Sequence, residues 1–246
     1  MSGDIKATKP YFGVTIDRGE FNLADRADTL HVNNNRNTFC WIKKGFQDVV
    51  WNAKQLGTSA MELICLSKEL EQGLQADLRV KIIYSLTEDN SLKICYEAFA
   101  DKTTAINLSN HAFFNLNGEN SGTILTHKLQ IKSDRFLPID PSFIPTGVIE
   151  DVTGTPFDFR KGFAVEHRIN DHSEQLGSGK GYDHNYVLNP HGIKTAVANI
   201  IGDKSGIVMH VFTDQLCLQF YSGNLMRGEN TTKEGRKTGI AQRLQW

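Results

Sequence analysis

The chain has 246 residues, 39% hydrophobic and 22% charged, with 27 basic against 28 acidic side chains and a formal net charge of −1. Neither sign of charge forms a long run, which argues against a nucleic-acid or anionic-membrane partner. No apolar stretch approaches the roughly 20 residues that a membrane helix needs.

The opening residues, Met1-Ser2-Gly3-Asp4-Ile5-Lys6, have no apolar core and do not read as a secretory signal, so a cytoplasmic location is expected. Residues 60–66 and Leu78–Leu86 alternate apolar and polar side chains and are rich in β-branched and aromatic types. The second run enters the polar turn Thr87-Glu88-Asp89-Asn90-Ser91 and emerges into residues 92–99, which predicts a hairpin. Further strands are predicted at 127–133, 195–202, 207–213 and Cys217–Tyr221. Between them, Pro138, Pro141 and Pro145 impose extended or turn geometry. No window of about 15 residues carries a 3.6-residue apolar stripe. Many strands at short spacing predict an all-β fold, an antiparallel β-sandwich or a related curved sheet. The length suits one large all-β domain or two small ones, and no linker or repeat marks a boundary.

The four cysteines, Cys40, Cys65, Cys95 and Cys217, are scattered and form no C-x-x-C pair. They read as reduced thiols, with Cys65 and Cys95 expected in the core.

Two segments carry chemistry. Asn110-His111-Ala112-Phe113-Phe114-Asn115-Leu116-Asn117-Gly118 sets one histidine among amides and aromatics. Taken alone, a histidine beside two phenylalanines reads as a packed, hydrogen-bonded residue. Imidazole, with an unperturbed pKa near 6.5, is also the side chain best suited to give and retake a proton at neutral pH. The second segment is Gly181-Tyr182-Asp183-His184-Asn185-Tyr186-Val187-Leu188. An aspartate after glycine commonly caps a turn, yet a carboxylate can also accept two hydroxyl hydrogen bonds. His184, adjacent in an extended run, faces the other way and reads as structural. No third ligand accompanies Asp183 and His184, so no metal site is expected.

Together the two segments resemble the signatures of the aldose 1-epimerase (galactose mutarotase) family. Pro10-Tyr11-Phe12-Gly13, Asn33-Asn34, Pro145-Thr146-Gly147, Thr155-Pro156-Phe157-Asp158-Phe159-Arg160 and Leu218-Gln219-Phe220-Tyr221-Ser222-Gly223-Asn224 continue the similarity in the family's order. The resemblance therefore runs from about Pro10 to the end. Residues 1–9 read as an N-terminal extension and 10–246 as a partial domain of the galactose mutarotase-like supersandwich. It implies interconversion of the α and β anomers of a free hexose such as galactose or glucose. His111 would be the general acid that protonates the ring oxygen, and Asp183 would bind sugar hydroxyls. It implies neither metal nor organic cofactor, and a small-molecule sugar is the one expected partner. The sequence sets no oligomeric state.

Three places depart from the family pattern. Where relatives carry a substrate-positioning histidine before two glycines, this chain has Cys40, Trp41 and Ile42. The family's Asn-Arg-Ile triplet has no counterpart near Asp17-Arg18-Gly19. The glutamate base of the family's Leu-Glu-Thr-Gln segment aligns with Arg243, whose guanidinium stays protonated and cannot take a proton. Outer strands of the family domain are also expected to be missing at both ends. Three readings stay open: an impaired mutarotase, in which only a rate typical of intact relatives would point to another carboxylate such as Glu234 as base; a non-catalytic sugar-binding or regulatory protein; and a decayed fragment without activity.

Overall fold

The computed structural model describes the backbone of residues 15–16, 20–23, 26–29, 38–39 and 245, and in full residues 45–46, 48–71, 76–226, 241 and 244. Cys40, Trp41, Ile42, Glu234 and Arg243 lie outside the described residues. The chain divides into two compact units, Met1–Ser109 and Asn110–Trp246. Among the described residues no helix is long and apolar enough to cross a membrane.

In the first unit, β1 (Thr15–Ile16) pairs with β4 (Thr38–Phe39), and β2 (Glu20–Leu23) pairs with β3 (Arg26–Thr29). Strands β5 (Asn52–Leu56), β6 (Ala60–Ser67), β7 (Leu78–Leu86) and β8 (Leu92–Ala100) form an antiparallel meander in that order. The predicted hairpin is present. Leu86 opposes Leu92, the Thr87 amide donates to the Ser91 carbonyl at 2.9 Å, and Asn90 takes the left-handed turn position at φ 61°. Cys65 is buried, and that burial pushes its thiol up. Cys95 departs from expectation and is only half-buried. It shares a row with Glu62 and Ile83, whereas Cys65 shares one with Val80 and Ala98, so the two thiols occupy opposite faces of the sheet. Cys65, Cys95 and Cys217 are all free thiols.

The described residues of the second unit form two sheets. One runs β13 (Phe163–Ala164), β10 (Lys128–Ile131), β15 (Ala198–Ile201), β16 (Val208–Val211). The other runs β12 (Glu150–Asp151), β11 (Arg135–Leu137), β14 (Asp183–Val187), β17 (Cys217–Tyr221), β18 (Leu244–Gln245), β9 (Phe113–Phe114). Every described strand pair is antiparallel. Leu129, Ile131 and Ile200 from the smaller sheet share one buried cluster with Phe136, Tyr186 and Phe220 from the larger. That is the packing of a sandwich, in which each strand turns alternate residues inward. Accordingly β14 buries His184 and Tyr186 but leaves Asp183, Asn185 and Val187 half-buried on the other face. In β17 the core takes Leu218 and Phe220. Sheet order places strands far apart in sequence side by side, which local pattern cannot predict.

Strands predicted at 127–133, 195–202 and 207–213 are shorter than their apolar runs. The His127 amide is taken by the Ile124 carbonyl and the Thr195 amide by Gly192, so both segments are still turning when the sequence pattern begins. The two helices among the described residues, α1 (Glu166–Ile169) and α2 (Glu174–Gly179), are too short to show a stripe. The hydroxyl of Ser173 caps α2 by accepting from the Leu176 amide.

Phe157 anchors this core. Its ring stacks on Phe136 at 4.4 Å and meets Tyr182 and His184 edge-on at 5.7 and 4.5 Å. The Phe157→Ala variant is expected to lose about 3–5 kcal/mol of stability in urea denaturation, the typical cost of emptying a buried aromatic position. A loss well below that would show that the aromatic cluster is not the keystone of the second unit.

Candidate functional site

The turn that leads into β14 decides where Asp183 goes. Helix α2 ends at Gly179, Lys180 follows in the left-handed conformation at φ 55°, and Gly181 has φ 127°. A Cβ on Gly179 would sit 2.9 Å from the His184 ring, and one on Gly181 would sit 2.5 Å from Asn224 Oδ1. Both positions therefore exclude any side chain. Across the sheet, the Ser222 amide donates to the Tyr182 carbonyl at 3.0 Å and the Tyr182 amide to Ser222 Oγ at 3.2 Å. Ser222 Oγ in turn donates to Asn224 Oδ1. Asn224 Nδ2 then bonds the carbonyls of Gly179 and Tyr182 at 3.1 and 2.9 Å. All of this is buried, so every bond is made where its loss would leave an orphaned polar group. Ser222-Gly223-Asn224 is thus a clamp on the turn.

From that clamp, Asp183 opens a row across the larger sheet. It opposes Tyr221, Tyr221 opposes Gln245, and Gln245 opposes Phe113. The Phe113 and Tyr221 rings meet edge-on at 6.3 Å, and the His111 ring lies on Phe113 at 5.1 Å. The sheet thereby brings the two sequence-predicted site segments, 72 residues apart (183 − 111), to one row. His111 stands in a short Asx turn, with Asn110 Oδ1 accepting from the Ala112 amide at 2.9 Å.

Two residues on this face escaped the sequence reading. Gln219 donates from Nε2 to Asp183 Oδ1 at 2.9 Å and accepts from Asn185 Nδ2 at 3.3 Å. Tyr221 accepts the Leu225 amide at its hydroxyl, at 2.8 Å. The signal was available: in Leu218-Gln219-Phe220-Tyr221, alternation sets Gln219 and Tyr221 opposite the core face. The amides of Asn115-Leu116-Asn117 do something different. Asn117 Nδ2 donates to Asp203, while its Oδ1 accepts the amides of Lys204 and Ser205, which ties the loop after β9 to the β15–β16 hairpin. The Leu116 amide donates to Nε2 of the buried His127. These residues hold structure.

Asp183 keeps some solvent contact, yet the surrounding protein pushes its carboxyl up to about 6, against the smaller lowering by Gln219. Burial pushes Tyr221 up to about 12 and His184 down to about 4. Among the described residues no group of His, Cys, Asp and Glu has the spacing to hold a metal ion. A recess of about 250 Å³, lined by Lys132, Arg160 and His191, lies beyond the far end of β14 and contains none of these site residues.

The two neighbouring shifts have opposite linkage signs. A raised Asp183 contributes stability at low pH that is lost as pH rises from 3.8 through about 6. A lowered His184 contributes stability at higher pH that is lost as pH falls from 6.5 through about 4. Across the shared window the contributions offset. Asp183→Asn removes the first and leaves the second, so its stability should fall more steeply with acidification than the parent's. Urea denaturation at several pH values between about 4 and 7 checks this, and parallel profiles would contradict it.

A family model for aldose 1-epimerases matches residues 4–244. Galactose mutarotase of Bos taurus is 36% identical over 234 residues, covering 92% of this chain and 66% of its own length. Aldose 1-epimerase of Escherichia coli is 36% identical over 188 residues, covering 75% of this chain and 53% of its own. The chain thus spans just under two thirds of the length of the mammalian relatives it matches. In fold, it resembles an aldose epimerase homologue from C. elegans (TM-score 0.83, 23% identity, 95% of this chain and 69% of that one). It also resembles galactose 1-epimerase from Lactobacillus acidophilus (TM-score 0.81, 23% identity, 95% and 68%). With the family model spanning nearly the whole chain and the curated relatives above 30% identity, the chain belongs to the aldose 1-epimerase family.

Proposed function

We propose that this chain binds a free hexose, galactose or glucose, on the outer face of the six-stranded sheet and retains part of an anomer-interconverting centre. The supporting observation is the row from Asp183 through Tyr221 to Phe113, with His111 on its end and Gln219 bonded to the Asp183 carboxyl. Asp183 accepts sugar hydroxyl protons as a hydrogen-bond partner. His111 is the general acid. In the complete reaction a base takes the C1 hydroxyl proton, and the C1–O5 bond breaks with its electron pair going to the ring oxygen. His111 protonates that oxygen. Rotation about C1–C2 and the reverse steps close the ring on the other face. The reaction needs no metal or organic cofactor, and the protein acts in the cytoplasm.

Arg243 at the base position favours a second reading, a sugar-binding or regulatory protein with little turnover. The two readings share a binding site and differ in rate. We therefore expect anomerisation slower than in intact relatives by at least the roughly 10²–10⁴-fold that general acid–base catalysis supplies. Polarimetry on freshly dissolved α-galactose, with calorimetric titration alongside, tests both. A rate typical of intact relatives would move the base role to another carboxylate such as Glu234, and absence of any sugar binding would sink both readings.

Asp183→Ala should weaken galactose binding by about tenfold or more, as expected when a charge-assisted hydrogen bond is lost. The double variant Cys40→His with Arg243→Glu should gain a measurable rate, because groups that act as a unit recover together rather than singly. Adding His111→Ala should abolish that gain. A gain that survives the third substitution would remove His111 from the role of acid.

A further inference from the structure

At its start, β14 lacks a backbone partner on one side. Asp183 opposes Tyr221 in β17, but the neighbouring pair Tyr182–Ser222 carries the cross-strand hydrogen bond, so the Asp183 amide points away from β17. On that other side β11 pairs Leu137 with Asn185 and then ends. Ile139, the residue that would continue the ladder opposite Asp183, has left it. Its amide donates to Gln175 Oε1 at 2.7 Å and its carbonyl accepts from Gln175 Nε2 at 3.0 Å. A buried backbone amide needs an acceptor. The Asp183 amide finds it in Nδ1 of His184, at 3.1 Å.

That bond fixes the tautomer. Nδ1 accepts, so Nε2 carries the proton and donates to Gln175 Oε1 at 3.2 Å. The ring cannot swing away, because Phe157 meets it edge-on, Phe136 flanks it at 6.0 Å and the bare Cα of Gly179 closes over Cε1. We infer that His184 is a positioning residue: through the amide of Asp183 and the side chain of Gln175, it replaces the missing stretch of β-ladder and sets where the Asp183 carboxyl stands. Its role as a setter of sugar affinity rests on the proposed site above. Burial keeps the ring neutral through the physiological range, as an acceptor at Nδ1 requires.

The two functions of the ring can be separated. His184→Asn can place an acceptor where Nδ1 stands and loses the reach to Gln175. His184→Gln keeps an amide near Nε2 and loses the acceptor beside the main chain. Both remove the same aromatic packing, so thermal melting should drop similarly. If His184 positions Asp183, the Asp183 amide should exchange with solvent about tenfold faster in His184→Gln than in His184→Asn. Galactose should bind about fivefold more weakly to the Gln variant. Equal Asp183 exchange in the two variants would overturn the inference, as would a galactose affinity that follows melting temperature alone. If the parent chain binds no galactose, the sugar-site reading fails by itself. The amide exchange and the carbon-13 titration of the Asp183 carboxyl then decide the tether, which requires both to differ between the variants. Should neither variant fold, nitrogen-15 shifts of His184 in the parent settle it: a proton on Nε2 with Nδ1 bare supports the tether, and the reverse tautomer overturns it.

Discussion

The pairing of β14 with β17 is the interaction on which the second unit depends. One face of that ladder supplies His184, Tyr186, Leu218 and Phe220 to the buried cluster, and the other presents Asp183, Asn185, Gln219 and Tyr221. Core and candidate site are therefore two sides of one set of backbone hydrogen bonds. A slip of register by one residue would carry Asp183 into the hydrophobic cluster and expel His184 from it. The clamp of Ser222 and Asn224 on the preceding turn sits where such a slip would begin.

Much of the fold could be read from local pattern, and the reasons are specific. The strand at Leu78–Leu86 matches its predicted bounds because alternation opens it, β-branched and aromatic residues continue it and a polar turn marks its end. Cys217–Tyr221 matches because a short apolar and aromatic run ends at the polar Ser222-Gly223-Asn224. Strands of two or three residues, such as Phe113–Phe114 and Arg135–Leu137, exist only because neighbours distant in sequence complete their hydrogen bonds. Nothing local announces them. Cys95 shows the limit of hydrophobicity as a guide, since its half-burial follows from which face of a particular strand it occupies.

The candidate site was legible in the same uneven way. Two motifs drew attention to His111 and Asp183, which the sheet joins through Phe113 and Tyr221. The raised carboxyl of Asp183 could not have been read, because it arises from desolvation by surrounding chain rather than from any nearby residue in sequence. Asn115 and Asn117, within the most distinctive motif, bond loops rather than stand ready for a ligand. Asp158 and Arg160, in another, pair with each other in a half-buried position. Motif membership alone does not separate such structural roles from chemical ones.

The turn at Gly179-Lys180-Gly181 bears on how such a chain varies over generations. Its two glycines are held in place by the His184 ring and by Asn224, neither of which needs a sugar to be present. Substitution there is penalised through folding alone, whether or not the protein turns over any substrate. The main-chain path that presents residue 183 is consequently sheltered from drift by the packing of the turn itself. The packing of the turn therefore constrains which sequences can present a carboxylate at position 183, independently of any ligand.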